Sequence, residues 1–381
     1  MHDARKPDFD RVIDRRGTAS DKWDRYDGRD ILPLWVADMD FAAPPAVLAA
    51  LHERVEHGVF GYTNPPAELI EVTVARIERD FGWRIDPDWM VWLPGLVPGL
   101  HLACRAVGDP GDAVASFIPV YPPFLAAPPR AERELLTVPL ADAAGCIDFD
   151  ALDAALTPRT RLLMLSNPQN PTGRVYRREE LERLAEVCLR EGLVLCSDEI
   201  HAELRLDREL EHVPVATLGP DIARASITLL APSKTYNIAG LGCSLAVIPD
   251  ASLRRRFRAV RAGFVPGVNT LGFSAAIAAW RDCDDWRAAL LDYLRANAAS
   301  VQSAVDAHPA LSMRPPEATY LAWIDARGLG TDDPEPLFEA AGLGLSNGRD
   351  FGQPGCMRLN FGCPRATLDQ ALDRLSRVGR S

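Results

Sequence analysis

A chain of 381 residues is too long for one small core and is expected to hold two or three domains, or one large α/β domain with a satellite. An apolar share of 47% with a quarter of the residues charged excludes broad disorder, and the formal net charge of −11 argues against a nucleic-acid-binding surface. No apolar run is long enough to cross a membrane, and the eight scattered cysteines have neither zinc-ligand nor disulfide-framework spacing, so a cytoplasmic protein without a metal is expected.

The first 30 residues are charged and read as an extended arm rather than a core element. Ile31 to Phe41 reads as an apolar strand ending in acidic residues. Pro44-Pro45 opens a helix from about Ala46 to Glu56, and a second helix covers about Glu68 to Asp80. Between them, the run Gly58-Val59-Phe60-Gly61-Tyr62-Thr63-Asn64-Pro65 marks a loop, which puts the large ring of Tyr62 on irregular backbone.

Val91-Trp92-Leu93 then runs through Pro94-Gly95-Leu96-Val97 into a helix containing Leu100 to Cys104. Strand, glycine turn and helix N-terminus together form an anion-binding geometry, because free N–H groups and the helix dipole face the turn. The strand Ala113–Phe117 leads to Tyr121, which sits among prolines at the strand's carboxyl end.

Strand and helix alternate through the middle of the chain: Leu162–Leu165, a helix from about Arg178 to Glu191, Leu193–Cys196 and Ile227–Leu230. This is the βαβ pattern of a doubly wound sheet, in which ligands sit beyond the carboxyl ends of the strands. Three successive strands therefore offer Asn170, Asp198 and Lys234 to one edge. Each alone has a plain explanation, as turn former, helix N-cap and surface charge. Their convergence favours a site.

After Pro249 the chain reads as helical to about Arg261, then from Phe273 to about Trp280 and from Asp285 to about His308. Strands follow at Thr319–Ile324 and Cys356–Phe361. The change of pattern near residue 275 separates a C-terminal domain. The expected division is residues 1–45 as an arm and part of a small domain, 46–272 as a large domain, and 273–381 as the rest of the small one.

Lysine usage singles out one residue. Among 42 basic residues, lysine occurs only at Lys6, Lys22 and Lys234. Arginine cannot replace a lysine that must lose its proton and attack a carbonyl. Lys6 and Lys22 lie in the arm, where a bland role is expected, whereas Lys234 follows an apolar strand.

A lysine that held a pyridine aldehyde such as pyridoxal phosphate would need particular neighbours. Asp198 would keep the ring nitrogen protonated, Asn170 would donate to the phenolic oxygen, and Tyr121 would stack on the ring. The phosphate would take the Gly95-Leu96-Val97 turn, Ser233 and Tyr62. Arg358, in an otherwise apolar strand, would grip a substrate carboxylate, the alternative being a structural ion pair.

These residues lie in motifs that resemble the fold type I pyridoxal-phosphate enzymes, an α/β fold of the aspartate aminotransferase-like type with a mostly parallel sheet in its large domain. Within that class the chain resembles the MalY/PatB group of cystathionine β-lyase-like C–S lyases. The resemblance runs nearly end to end, through PLWVADMDF, GVFGYT, PVYPPF, SNPQNPTGRVY, SDEIHAEL, APSKTYNIAGL, TYLAWID and MRLNFGCPR. It implies that Lys234 carries the cofactor, with Asp198, Asn170 and Tyr121 as above and His201 near the phenolic oxygen. It further implies that Arg358, Ala37, Asn170 and Tyr62 meet an amino-acid substrate, and that Tyr62 reaches the site of a partner subunit in a homodimer. Two departures stand out: Gly242 replaces a phosphate-binding arginine of many aminotransferases, and Ala231 replaces a phosphate-binding hydroxyl. The loop Asn347–Pro354 matches the group least and is expected to shape substrate choice.

The expected reaction is α,β-elimination from L-cystathionine or a related S-substituted L-cysteine to thiol, pyruvate and ammonia. The alternatives are an aminotransferase, a relative acting on a bulky S-cysteinyl conjugate, and a non-enzymatic regulatory partner.

Overall fold

The computed structural model describes residues 7–141 and 145–379, so Lys6 lies outside the described residues. Strand β1 (Leu32–Pro33) belongs to the N-terminal segment. Seven strands then build one large sheet: β2 (Met90–Leu93), β3 (Ala113–Ile118), β4 (Glu134–Pro139), β5 (Thr160–Ser166), β6 (Val194–Asp198), β7 (Ser226–Leu230) and β8 (Ser244–Val247). Their spatial order is β2-β8-β7-β6-β5-β3-β4, and β8 alone runs antiparallel to its neighbours.

Both faces of this sheet are covered, which is why β5, β6 and β7 read as near-continuous apolar runs. One face packs on the helices Leu96–Ala106, Pro122–Arg130 and Ala251–Arg261, through Leu100, Phe124 and Phe257. The other packs on Phe149–Ala155, Arg178–Glu191 and Pro220–Arg224, through Leu152, Leu184 and Ile222. Because β2, β3, β5, β6 and β7 run parallel, the loops that leave their carboxyl ends share one edge.

Five short strands complete the structure: β9 (Ser312–Met313), β10 (Leu321–Asp325), β11 (Leu343–Gly344), β12 (Ser346–Asn347) and β13 (Cys356–Asn360). Four form an antiparallel sheet, β12-β13-β10-β9, while β11 pairs with β1 in parallel. The N-terminal segment is thereby tied to the C-terminal part of the chain. Among the elements that the sequence reading did not assign are the helices Pro122–Arg130, Phe149–Ala155 and Arg365–Leu375 and the strands β4 and β8.

Two expectations for the N-terminal segment are corrected. It is no loose arm, because Phe9, Lys22 and Tyr26 are buried and a one-turn helix covers Asp21–Asp24. Nor is residues 31–41 one strand, since only Leu32–Pro33 pairs as such. Side chains satisfy the rest of its backbone, which removes the need for a sheet partner. Asn360 Nδ2 donates to the carbonyls of Val36 and Asp38, at 2.7 and 2.6 Å. Asn237 Nδ2 donates to those of Met39 and Phe41, at 2.8 Å each. Lys22, fully buried, pairs with Asp40 at 2.7 Å, and Arg15 bridges Asp38 and Asp40. Lys22 is therefore a structural anchor and not a bland surface residue.

Candidate active site

The loops beyond the carboxyl ends of the parallel strands enclose a cavity of about 510 Å³, closed from the other side by the 35–37 segment and the β12–β13 region. Lys234 comes from the turn after β7, Asp198 from the end of β6, Asn170 from the turn after β5 and Tyr121 from the segment after β3. Gly95, Leu96, Val97, Ser233, His201, Ala37 and Arg358 line the same space. All the site residues predicted from sequence meet here except one. Tyr62 stands fully exposed outside the cavity, on the loop after the helix Pro45–His57.

The polar groups on the cavity floor are buried and poorly satisfied. Asp198 accepts one backbone hydrogen bond, from Ile200 N–H at 3.1 Å, and burial pushes its carboxyl up to about 7. It caps no helix, so the plain explanation for it fails. Lys234 donates to the Ala37 carbonyl at 2.5 Å. Burial first, and the Arg358 charge second, lower its ammonium to about 8. His201 is buried with no partner for Nδ1, and burial lowers it to about 3, so its imidazole is neutral.

Arg358 is the least neutralised of these groups. Its guanidinium donates to Asn170 Oδ1 at 3.0 Å, to the Trp35 carbonyl at 2.8 Å and to Ser346 Oγ at 3.3 Å, and lies 4.8 Å from the Phe351 ring. Among the described residues it pairs with no carboxylate, and its Nε has no partner. Burial accordingly lowers it to about 10. A buried cation held by carbonyls and an amide is a site for an incoming anion. Asn170 spends its oxygen on Arg358, which leaves its Nδ2 donor for a ligand.

The phosphate end is built by backbone. The helix Leu96–Ala106 begins at Gly95 and presents free N–H groups to the cavity. Gly242 stands where an arginine would be expected in many aminotransferases, and the structure explains why no side chain fits there. It takes a left-handed φ of +58°, and a Cβ would meet the Pro94 carbonyl oxygen at 2.9 Å. The turn that carries Gly95 thus packs directly on Gly242.

These features fit pyridoxal phosphate. An underbonded carboxylate suits a protonated ring nitrogen, a partnerless imidazole and a free amide donor suit the phenolic oxygen, and a depressed lysine suits the aldehyde. Sequence reasoning missed Asp21, Arg25, Trp35, Glu335 and Asp350, which line the outer half of the cavity. Trp35 and Asp350 lie in stretches it had marked, but charged residues on a helix turn carry no periodic signal. Tyr320 was also missed; its hydroxyl donates to the Ala37 carbonyl at 2.9 Å, beside Lys234.

Comparison with known proteins agrees with this geometry. The family model "Aminotransferase class I and II" matches residues 29–375. The chain is 38% identical to cystathionine β-lyase PatB of Bacillus subtilis (strain 168), over 96% of this chain and 98% of that protein. Among solved structures it superposes on OvoB with a TM-score of 0.96 and 48% identity, covering 98% of this chain and 99% of that one. It also superposes on cystalysin from Treponema denticola, which contains a pyridoxal 5′-phosphate cofactor, with a TM-score of 0.93, 32% identity and 98% of each chain covered.

Proposed function

Because the chain belongs to the class I and II aminotransferase family, we propose that it is a pyridoxal-phosphate-dependent C–S β-lyase acting on an S-substituted L-cysteine. The balanced reaction is S-substituted cysteine plus water to thiol, pyruvate and ammonia. The observation that carries this reading is Arg358, a buried guanidinium without an anion that shares one cavity with Lys234 and Asp198.

When bound, pyridoxal phosphate supplies an electron-withdrawing ring that stabilises negative charge at the substrate's α-carbon. Lys234 would hold its aldehyde, Asp198 its ring nitrogen, Asn170 and His201 its phenolic oxygen, and Tyr121 its ring face. Gly95, Leu96, Val97 and Ser233 would hold the phosphate.

Arg358 takes the substrate α-carboxylate in a two-pronged grip and so fixes the α-carbon over the site. Lys234, with its depressed basicity, removes the α-proton as general base near neutral pH. The Ala37 carbonyl receives the resulting ammonium, and the thiolate departs from the β-carbon. The walls around Arg358 keep water from the carboxylate contact. The absence of room for a side chain at Gly242 favours a lyase-type phosphate site over the arginine-bearing aminotransferase type.

Three further assignments belong to the same reading. Tyr62, exposed beside Val59 and Phe60, supports a homodimer in which it reaches the partner's site. Cysteines that form no disulfide among the described residues suit the cytoplasm. The same reading divides the chain near residues 45 and 272, into an arm, a large domain and a C-terminal small domain.

Incubation with L-cystathionine and several S-substituted cysteines tests the reaction. Thiol and pyruvate should form in equal amounts without a keto-acid acceptor. Lys234→Ala should lower the rate by roughly a thousandfold or more. An absolute requirement for a keto acid, with no pyruvate, would make the protein an aminotransferase.

A further inference from the structure

One buried polar network outside the cavity reaches both of the turns that carry Lys234 and His201. Its centre is Arg76 of the helix Ala67–Phe81, which is 4% exposed. All the N–H donors of its guanidinium are spent. Nε donates to Glu203 Oε1 at 3.0 Å, and Nη1 donates to the Trp280 carbonyl at 3.2 Å and to Asp284 Oδ1 at 2.6 Å. Nη2 donates to Glu203 Oε1 at 2.6 Å and to the Tyr236 hydroxyl at 2.7 Å. Asp80, Arg79 and Arg287 complete the network, so its guanidinia and carboxylates balance.

Glu203 and Tyr236 each stand two residues beyond a cavity group, His201 and Lys234. Both segments are tight turns after a parallel strand. The Leu204 N–H donates to the His201 carbonyl at 2.9 Å, and the Tyr236 N–H donates to the Pro232 carbonyl at 3.0 Å. Residues two apart in such a turn face different sides. His201 and Lys234 accordingly line the cavity, whereas Glu203 and Tyr236 do not. In pyridoxal phosphate the aldehyde and the phenolic oxygen sit on neighbouring ring carbons, so two separate loops must be set closely against each other for one ring to meet both groups. A guanidinium suits this task because its planar fork fixes the direction of every donor, which the ammonium of a lysine does not.

We propose that Arg76 is a positioning residue for the cofactor site: by holding Tyr236 and Glu203 with one guanidinium, it sets Lys234 and His201 at the spacing that a single pyridoxal ring requires. Arg76 itself touches neither cofactor nor substrate. The inference rests on the cofactor assignment and is independent of which substrate bond is broken. Without the network the turns keep their backbone hydrogen bonds, so the chain folds but Lys234 and His201 meet the ring less well.

Three variants separate positioning from stability alone. Tyr236→Phe deletes the hydroxyl that links Arg76 to the lysine turn, while the ring stays packed and Arg76 Nη2 keeps Glu203. Arg76→Lys keeps the charge and loses the fork. Asp284→Ala breaks the same network at its half-exposed edge, where Arg79 also pairs, and belongs to neither turn. Cofactor-stripped protein is mixed with saturating pyridoxal phosphate, and absorbance reads the first-order rate of bond formation with Lys234, beside thermal unfolding of each protein. The rate should fall about tenfold in Tyr236→Phe and further in Arg76→Lys. Asp284→Ala should keep the wild-type rate although it unfolds at a lower temperature. Rates that simply follow unfolding temperature across the variants, or an unchanged rate in Tyr236→Phe and Arg76→Lys, would overturn the proposal. Should Arg76→Lys fail to fold, Tyr236→Phe against Asp284→Ala decides it. Wild-type protein that captures no cofactor would refute the cofactor assignment itself, and the positioning role with it.

Discussion

Two lysines in this chain occupy opposite surroundings. Lys22 is fully buried with its charge answered: Asp40 lies at 2.7 Å, Asp38 at 3.6 Å, and the Asp38 carbonyl accepts a further hydrogen bond. Lys234 touches one carbonyl, shares its cavity with the Arg358 guanidinium, and has its ammonium lowered to about 8. One region closes a polar network and holds irregular backbone in place. The other leaves its network open, and the groups left over match an amino acid and an aldehyde cofactor. Polar burial that is complete stabilises a fold, and polar burial that is incomplete marks where a ligand belongs.

Breaking each network should therefore have different consequences. Arg358→Leu removes a buried cation that has no anion, so it should lower kcat/KM by roughly a hundredfold or more while thermal stability holds or rises. Steady-state kinetics and thermal unfolding on one preparation check both halves. Lys22→Met should do the reverse and destabilise the protein by about 2 kcal/mol, because buried Asp40 loses one charged hydrogen bond and keeps only those from Arg15 and Trp23. Burial alone would raise the Asp40 carboxyl, but the Lys22 charge and hydrogen bond outweigh it and hold the carboxyl below its ordinary value. The stabilisation from that shift is present above the unfolded value and lost as pH falls below about 4. Denaturant unfolding across that window should show a shallower acid loss in Lys22→Met than in the wild-type protein.

The contrast also separates what the sequence could reveal from what it could not. Continuous apolar runs and the turns after them made the parallel strands legible, and with them the convergence of Asn170, Asp198 and Lys234. Lys22 is as scarce a residue type but reads as a bland arm residue, because its partner is 18 residues away on backbone that side-chain amides organise. An apolar pattern there reads as a strand because periodicity does not report who satisfies the carbonyls. The helix Pro122–Arg130 was hidden by its four prolines, two at its start and two near its end. Gly242 was visible as a missing arginine, but only the Pro94 carbonyl explains why nothing else fits. The charges at the cavity mouth come from three distant segments, and no local pattern joins Asp21 to Asp350.

The smallest expected effect is also the one that bears most directly on the two lysines. Only the neutral amine attacks an aldehyde, so capture of pyridoxal phosphate by cofactor-stripped protein should follow the lysine's own titration. With Lys234 lowered to about 8, the capture rate should rise about tenfold per pH unit below that value and level off above it. A lysine at its ordinary value would keep climbing past pH ~10. Because burial and then the Arg358 charge lower Lys234, Arg358→Leu should move the midpoint upward without abolishing capture. Borohydride trapping followed by peptide mapping reads both the rate and the site. Label on Lys22 at any pH would show that the closed network opens, and would remove the distinction between an anchored lysine and a reactive one.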